Sequence, residues 1–373
     1  MRQEIISYLS TIKNEMYELT KFLYDNPEES FKEKKAQDYI IKLLLNNNFR
    51  VSDNYMDIST SFHAQFGEGH PKICFLCEYD ADIKKGHIYG NNLSTSISIA
   101  SAISLAKVTS KIGGSVVIIG TPGELNGGSK IMMQRQGAFE DIDAILISKP
   151  HIHNIENPKC PAILPLKIIF EDNTKSSFTS MDAYIMTINV LCQLAKGFKH
   201  GCDLENFSIS DKGCIISLKA PSINTASEIR HQIEILTNTI DELIGLKHEV
   251  TLAKLPCTEI KTSETLNRLF AHNLKECGII EIETSKCVSF GSTLGCISNT
   301  VPCINSYISI VKDKTITYPS SEFAEETLSE YAQDIALKTA EALAFTGLDL
   351  IEKQNLIIEA RSELMSTSDS HII

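Results

Sequence analysis

The sequence predicts an open α/β sheet flanked by helices, with a smaller α+β block inserted in it. Three observations carry that expectation. Between residues 61 and 154, short apolar runs alternate with polar loops and helix-period segments, the order that builds a wound sheet. The mostly β-branched run 115–119, SVVII, leads through a Gly-Thr-Pro-Gly turn to Glu124 and a Gly-Gly pair. A carboxylate just past the C-terminal end of a buried strand sits where such sheets place ligands. A solvated turn residue or helix cap is the plain alternative for Glu124. Near Leu164 the pattern changes to a β-α-β-α-β series.

Taken in order, residues 4–48 read as two helices, because Ile5, Leu9, Ile12, Met16 and Leu19 recur at helical spacing and Pro27 marks a break. Ser30 and Glu33 have capping-box spacing and are expected to open the second helix. Strands follow at 61–66 and 72–79, then a polar loop at 80–92 and a helix of small and apolar residues at 94–108, capped by Asn92 or Ser94. After the strand at 115–119 come a helix at 131–137 and a strand at 142–147 that ends in Ser148-Lys149-Pro150-His151. The loops 80–92, 120–129 and 148–154 are expected to open on one sheet edge and line one pocket. The inserted block, placed at 165–256, has strands at 166–170, 213–221 and 248–255 and helices at 180–199 and 226–246. Residues 1–164 and 257–373 form the surrounding domain. It resumes with a helix at 264–277, strands at 287–290 and 304–310, a helix at 325–345, and a frayed tail at 365–373.

Bulk properties narrow the partners. A chain of 373 residues exceeds the usual single core, so two domains are the default. The net charge of −12, without a Lys/Arg cluster, argues against nucleic acid and anionic membrane. No apolar run approaches the ~20 residues of a membrane span. The acidic, amphipathic N-terminus is not a signal peptide, so a cytoplasmic location is expected. The 11 cysteines are scattered, several in strand-like runs, and read as reduced thiols. Cys74 and Cys77 form a C-x-x-C, but along a strand they point to opposite faces, which is wrong for chelation.

Several segments resemble the aminoacylase/carboxypeptidase-type family of dinuclear-metal peptidases, especially its branch of hippurate hydrolases and indole-acetyl-amino-acid hydrolases. They are DNPEESFKE (25–33), FLCEYDA followed by GHIYGNN, GTPGELNGGSK, LKAPS, GSTLGCISNTVP (291–302) and SSEFAEET. The resemblance implies a zinc-peptidase-like open mixed sheet, with residues 165–256 as a lid that makes a homodimer. It further implies amidohydrolase or dipeptidase chemistry on N-acyl amino acids, with two zinc or manganese ions, a bridging water and a Glu as general base and acid. The family's Glu falls on Glu124, and Asp80 is the other family-equivalent catalytic position. The family's metal ligands fall on Tyr89, Asn91, Leu125, Lys149 and Pro319, none of them a good ligand for a divalent cation. The lid histidine has no clear counterpart in 171–180. The resulting expectation is no metal ligand set and no cofactor.

Three readings of the pocket follow. In the first, the protein is a non-hydrolytic relative that binds a small acyl or amino-acid-like ligand, or a partner protein. Lys149 then faces Glu124 and Asp80, and its plain alternative is a lysine pointing to water. In the second, Glu124 acts without metal as a general base of raised pKa, with Lys149 as electrophile, in an acyl hydrolase or transferase. In the third, His87, His151 and His153 build a rearranged metal site for an amidohydrolase or dipeptidase.

Overall fold

The computed structural model describes residues 1–198, 200–210, 212–288 and 291–369. The apolar stripe of the N-terminus forms α1 (Arg2–Asp25), followed by α2 (Lys34–Asn46). Next come β1 (Arg50–Asp53), β2 (Phe62–Glu68), β3 (Lys72–Cys77), α3 (Asn91–Ile112) and β4 (Gly114–Gly120). Helix α4 (Ser129–Arg135) and strands β5 (Ala144–His151) and β6 (Ile155–Lys159) complete the N-terminal part. The inserted segment contributes β7 (Ala162–Glu171), α5 (Ser180–Leu194), β8 (Asp203–Ser210), β9 (Gly213–Ala220), α6 (Ile223–Ile244) and β10 (Lys247–Leu252). The chain closes with α7 (Glu264–Glu276), β11 (Glu283–Cys287), α8 (Gly295–Ser298), β12 (Cys303–Ser309), α9 (Ser321–Glu326), α10 (Glu330–Glu352) and α11 (Asn355–Asp369).

The chain packs into two compact units. The first comprises Met1–Pro158, Lys261–Lys286 and Ile297–Ile373, the second Lys159–Ile260 and Cys287–Cys296. In the first, eight strands form one mixed sheet in the order β1-β2-β4-β3-β5-β12-β6-β11. The central strands β4, β3, β5 and β12 are mutually parallel, so their C-terminal ends share an edge. Strand β2 pairs antiparallel with β4, and β1 antiparallel with β2. Central strands covered on both faces read as unbroken apolar runs, and Val116, Val117, Ile118 and Ile119 of β4 are fully buried. Each such side chain contributes about 1.5–3 kcal/mol. Helix α3 is buried over most of its length, packed on α1 and α10, because its many Ser and Ala residues let helices approach closely. Some of its buried hydroxyls bond back to the helix, as Ser101 Oγ does to the Ile97 carbonyl at 2.7 Å, whereas Ser94 and Thr95 donate to the Ser148 and Glu78 carbonyls.

The second unit is a four-stranded antiparallel sheet in the order β10-β7-β9-β8 with α5 and α6 packed on it. Its own core joins Leu166, Ile168, Tyr184, Leu191, Ile216, Ile233 and Ile240. Helix α5 opens with a capping box between Thr179 and Asp182.

Several expectations are corrected. Strands β1, β6 and β8 have no counterpart in the sequence reading; each is short or largely exposed, and its residues lack a clear apolar alternation. The capping box at Ser30 and Glu33 does not form: Glu33 is itself the residue preceding α2 and its carboxylate turns inward. Helix α3 begins after Gly90, without a side-chain cap from Asn92 or Ser94. Residues 148–151 belong to β5 and not to a loop. The C-terminal helical region is three helices, and 365–369 is the end of α11, not a frayed tail; residues 370–373 lie outside the described residues. The strand expected at 287–290 lies at 283–287, with 289 and 290 outside the described residues. Cys74, Cys77, Cys192, Cys214, Cys277 and Cys287 are free thiols. No helix among the described residues is long and apolar enough to cross a membrane.

Candidate functional site

The site forms where β3, β4 and β5 end. Strand β3 runs out into Glu78 and Asp80, the turn after β4 carries Glu124, α4 carries Lys130 in its first turn, and Lys149 stands near the end of β5. Four of these charged side chains, those of Glu78, Glu124, Lys130 and Lys149, close into a ring. Lys130 Nζ lies 2.7 Å from Glu78 Oε1 and 2.6 Å from Glu124 Oε2. Lys149 Nζ lies 2.7 Å from Glu78 Oε2 and 3.4 Å from Glu124 Oε1. Each carboxylate thus meets both ammonium groups, and the formal charge of the ring is zero. Glu78 and Lys130 are fully buried, at 0% and 1% exposure, whereas Glu124 and Lys149 reach solvent at 12% and 13%. Burial pulls Lys130 toward the neutral amine, but Glu124 and Glu78 outweigh it and hold its pKa above the ordinary lysine value.

Two more buried carboxylates fix the turn that presents Glu124. Asp80 Oδ2 accepts from the Leu125 N–H at 2.9 Å and from Ser30 Oγ at 2.8 Å. Glu33 Oε1 accepts from the Gly123 N–H at 2.9 Å and the Phe31 N–H at 2.9 Å, while Oε2 accepts from Thr60 Oγ1 at 2.6 Å. The backbone N–H groups on either side of Glu124 are therefore both held. Gly123 has φ +73°, and a Cβ there would stand 2.6 Å from the Phe31 ring, so the turn needs glycine on both counts. Burial pushes Glu33 up to about 7, with the Asp80 charge adding to it against the Thr60 hydroxyl. Burial likewise raises Asp80, against the lowering donors Leu125 N–H and Ser30.

Of the two alternatives for Lys149, the structure has it facing Glu124 and not water, with partners that differ from those named in the sequence reading. Lys149 pairs with Glu124 and Glu78, not Asp80, because Asp80 is turned to Leu125, Ser30 and Asn91. Glu124 is clamped by two ammonium groups and does not stand as an isolated base. Asn91 Nδ2 donates to the Asp80 carbonyl at 3.1 Å and supports the carboxylate. Leu125 enters through its backbone N–H. Tyr89 packs edge-on to Tyr318, 6.0 Å between centroids, and Pro319 is exposed. His151 is stacked on Tyr307 and meets Tyr318 edge-on at 4.5 Å. Burial lowers His151 to about 4, and the His153 N–H donates to its Nδ1 at 3.1 Å, which places the proton of the neutral ring on Nε2. His87 Nε2 donates to the Leu23 carbonyl of α1 at 3.0 Å, and burial lowers its pKa to about 4. The three histidines do not form a cluster: among the described residues no group of three or more His, Cys, Asp or Glu side chains is placed to hold a metal ion.

Sequence reasoning missed Glu78, Lys130 and Glu33. Lys130 did leave a signal. It is the second residue of α4, and a cation in a first helical turn opposes the helix dipole unless an acid compensates it.

No family model matches the chain. The Xaa-Arg dipeptidase of Mus musculus is 25% identical over 381 residues, spanning 92% of this chain and 88% of the mouse protein. A p-aminobenzoyl-glutamate hydrolase component of Escherichia coli is 33% identical over 147 residues, covering 34% of this chain and 31% of that protein. Among solved structures, the YXEP protein of Bacillus subtilis, a dinuclear metal binding peptidase from the M20 family, superposes with a TM-score of 0.64 at 13% identity, over 89% of this chain and 99% of its own. The chain therefore has the α/β fold of the M20 peptidases, and its homologues and structural neighbours are amidohydrolases and peptidases.

These relatives correct the expectation that no cofactor is used: the cofactor they imply is a pair of metal ions. The site as arranged does not fit that pair, since Glu78 and Glu124 face two ammonium groups, which are not metal ligands, and a dication would have to displace both lysines.

Proposed function

We propose that the protein binds an N-acyl amino acid or dipeptide at the Glu78–Lys130–Glu124–Lys149 ring and, in this ion-paired state, does not hydrolyse it. The observation that supports this reading is the clamping of Glu124. A carboxylate held by ammonium groups on two sides is a weak base, whereas general base catalysis needs one that accepts a proton near the working pH. Lys149, the more exposed cation of the ring, is the group that meets a ligand carboxylate or carbonyl. The relatives named for dipeptides and for p-aminobenzoyl-glutamate support the ligand class. A second reading is favoured by the metal-binding relative: the protein would be an amidohydrolase in which Glu78 and Glu124, parted from Lys130 and Lys149, would be the carboxylates to hold metal, and the metal would supply Lewis-acid chemistry.

The test is calorimetry with N-acyl amino acids and dipeptides, followed by assay for the released amino acid with and without added zinc or manganese. Binding without turnover is expected in the absence of added metal. Turnover that depends on metal and on Glu124 establishes the second reading instead.

Assembly through the second unit belongs to the same proposal. Strand β8 is an edge of its sheet with Phe207 and Ile209 exposed, and α5 exposes Met181 and Ile185, features that suit pairing with a second copy. Light scattering that gives a monomer mass at working concentration overturns it.

A further inference from the structure

A cleft of about 390 Å³ opens on the first unit between α4, the turn before β5, the segment after α8, and α11. It lies within the size range of small-molecule sites. Its lining includes the neutral polar Gln134, Asn299 and Thr300 and three further features. Ile142, Val301, Leu364 and Met365 form an apolar floor. Arg361 brings one cation: its Nη2 is spent on Asp143 Oδ1 at 2.7 Å and the Ile142 carbonyl at 3.3 Å, and its side chain remains 46% exposed. Glu140 brings one anion, which has no ion-pair partner among the described residues.

A positive and a negative group set over an apolar floor match one ligand chemistry. A simple anion would meet Glu140, a simple cation would meet Arg361, and a wholly apolar ligand would strand both charges beside it. An α-amino acid with an apolar side chain satisfies all three, its carboxylate on Arg361, its ammonium on Glu140 and its side chain on the floor. We propose that this cleft is a binding site for a free apolar α-amino acid in its zwitterionic form. The proposal stands apart from the ion-paired ring, which lies on another part of the same unit.

The experiment is calorimetric titration of the full chain with L-leucine and with L-methionine. One saturable site per chain is expected. Isoamylamine, which lacks the carboxylate, and 4-methylpentanoate, which lacks the ammonium, should each bind about tenfold more weakly or worse. Glu140→Gln and Arg361→Met should each cost a similar factor. Because Arg361 also braces Asp143, a misfolded Arg361→Met leaves the decision to Glu140→Gln and the two analogues. Absence of saturable binding at millimolar amino acid overturns the proposal, as do analogues that bind equally well. Undiminished binding in Glu140→Gln overturns it too.

Discussion

Replacing Lys130 with Met tests the ring directly. In the native site two carboxylates and two ammonium groups balance, with Glu78 and Lys130 almost wholly shielded from water. The substitution keeps the aliphatic stem and removes the charge, so Glu78 and Glu124 must share Lys149 alone, leaving one excess negative charge in a buried place. Breaking one partner out of a buried ion pair costs about 3–5 kcal/mol. Hydrogen exchange on peptides from β3 to β5 reads that loss within the first unit, where amides exposed only by unfolding should exchange about 10²–10⁴-fold faster. The double variant Glu78→Gln with Lys130→Met restores the balance with one carboxylate and one ammonium, and should recover much of the protection. Exchange in Lys130→Met within a factor of about five of the parent, or a double variant no better than the single one, would refute the ring as a coupled electrostatic unit.

Glu33, His87 and His151 set a pH dependence. With a folded pKa of about 7, Glu33 contributes stability that is complete below its unfolded value and lost as pH rises through about 7. His87 and His151, lowered to about 4, act the other way, since stability is lost as pH falls from the unfolded histidine range toward 4. Glu33→Gln should therefore steepen the loss of stability between pH 6.5 and 4.5 by about 1.4 kcal/mol per pH unit in urea titrations, and parallel slopes would show that Glu33 does not titrate there. Gly120→Ala should destabilise by about 1–3 kcal/mol, because its Cβ would press into the Phe62 ring and stand 2.7 Å from the Tyr79 hydroxyl; an unchanged melting temperature contradicts that packing. Of the cysteines, Cys192 and Cys287 are exposed and should react first with a thiol reagent under native conditions, the buried ones only after unfolding.

The strands β3, β4 and β5 were legible in the sequence because burial on both faces leaves an unbroken apolar run, and α1 because burial of one stripe leaves a helical period, whereas α3, buried nearly all round, was read from its length of small and apolar residues. Glu124 was legible for a related reason: a carboxylate after a buried strand and a glycine turn is a local pattern. Its partners were not. Lys130 and Glu78 are 52 residues apart (130 less 78) and meet only because parallel strands β3 and β4 put their ends on one edge. Glu33 showed the opposite failure, since its capping-box spacing was real but a buried turn at Gly123 competed for its carboxylate and won.

By itself, then, the sequence determined the layers of the fold, the edge on which a site would open, and the position of one of its acids, since these depend on periodicity and turn chemistry within short segments. Tertiary structure alone decided that Glu124 shares two lysines with Glu78, and that Asp80 braces a turn instead of facing Lys149. The physical reason is that ion pairing depends on distances in space between groups far apart in the chain, and no local pattern encodes which buried charge will neutralise which.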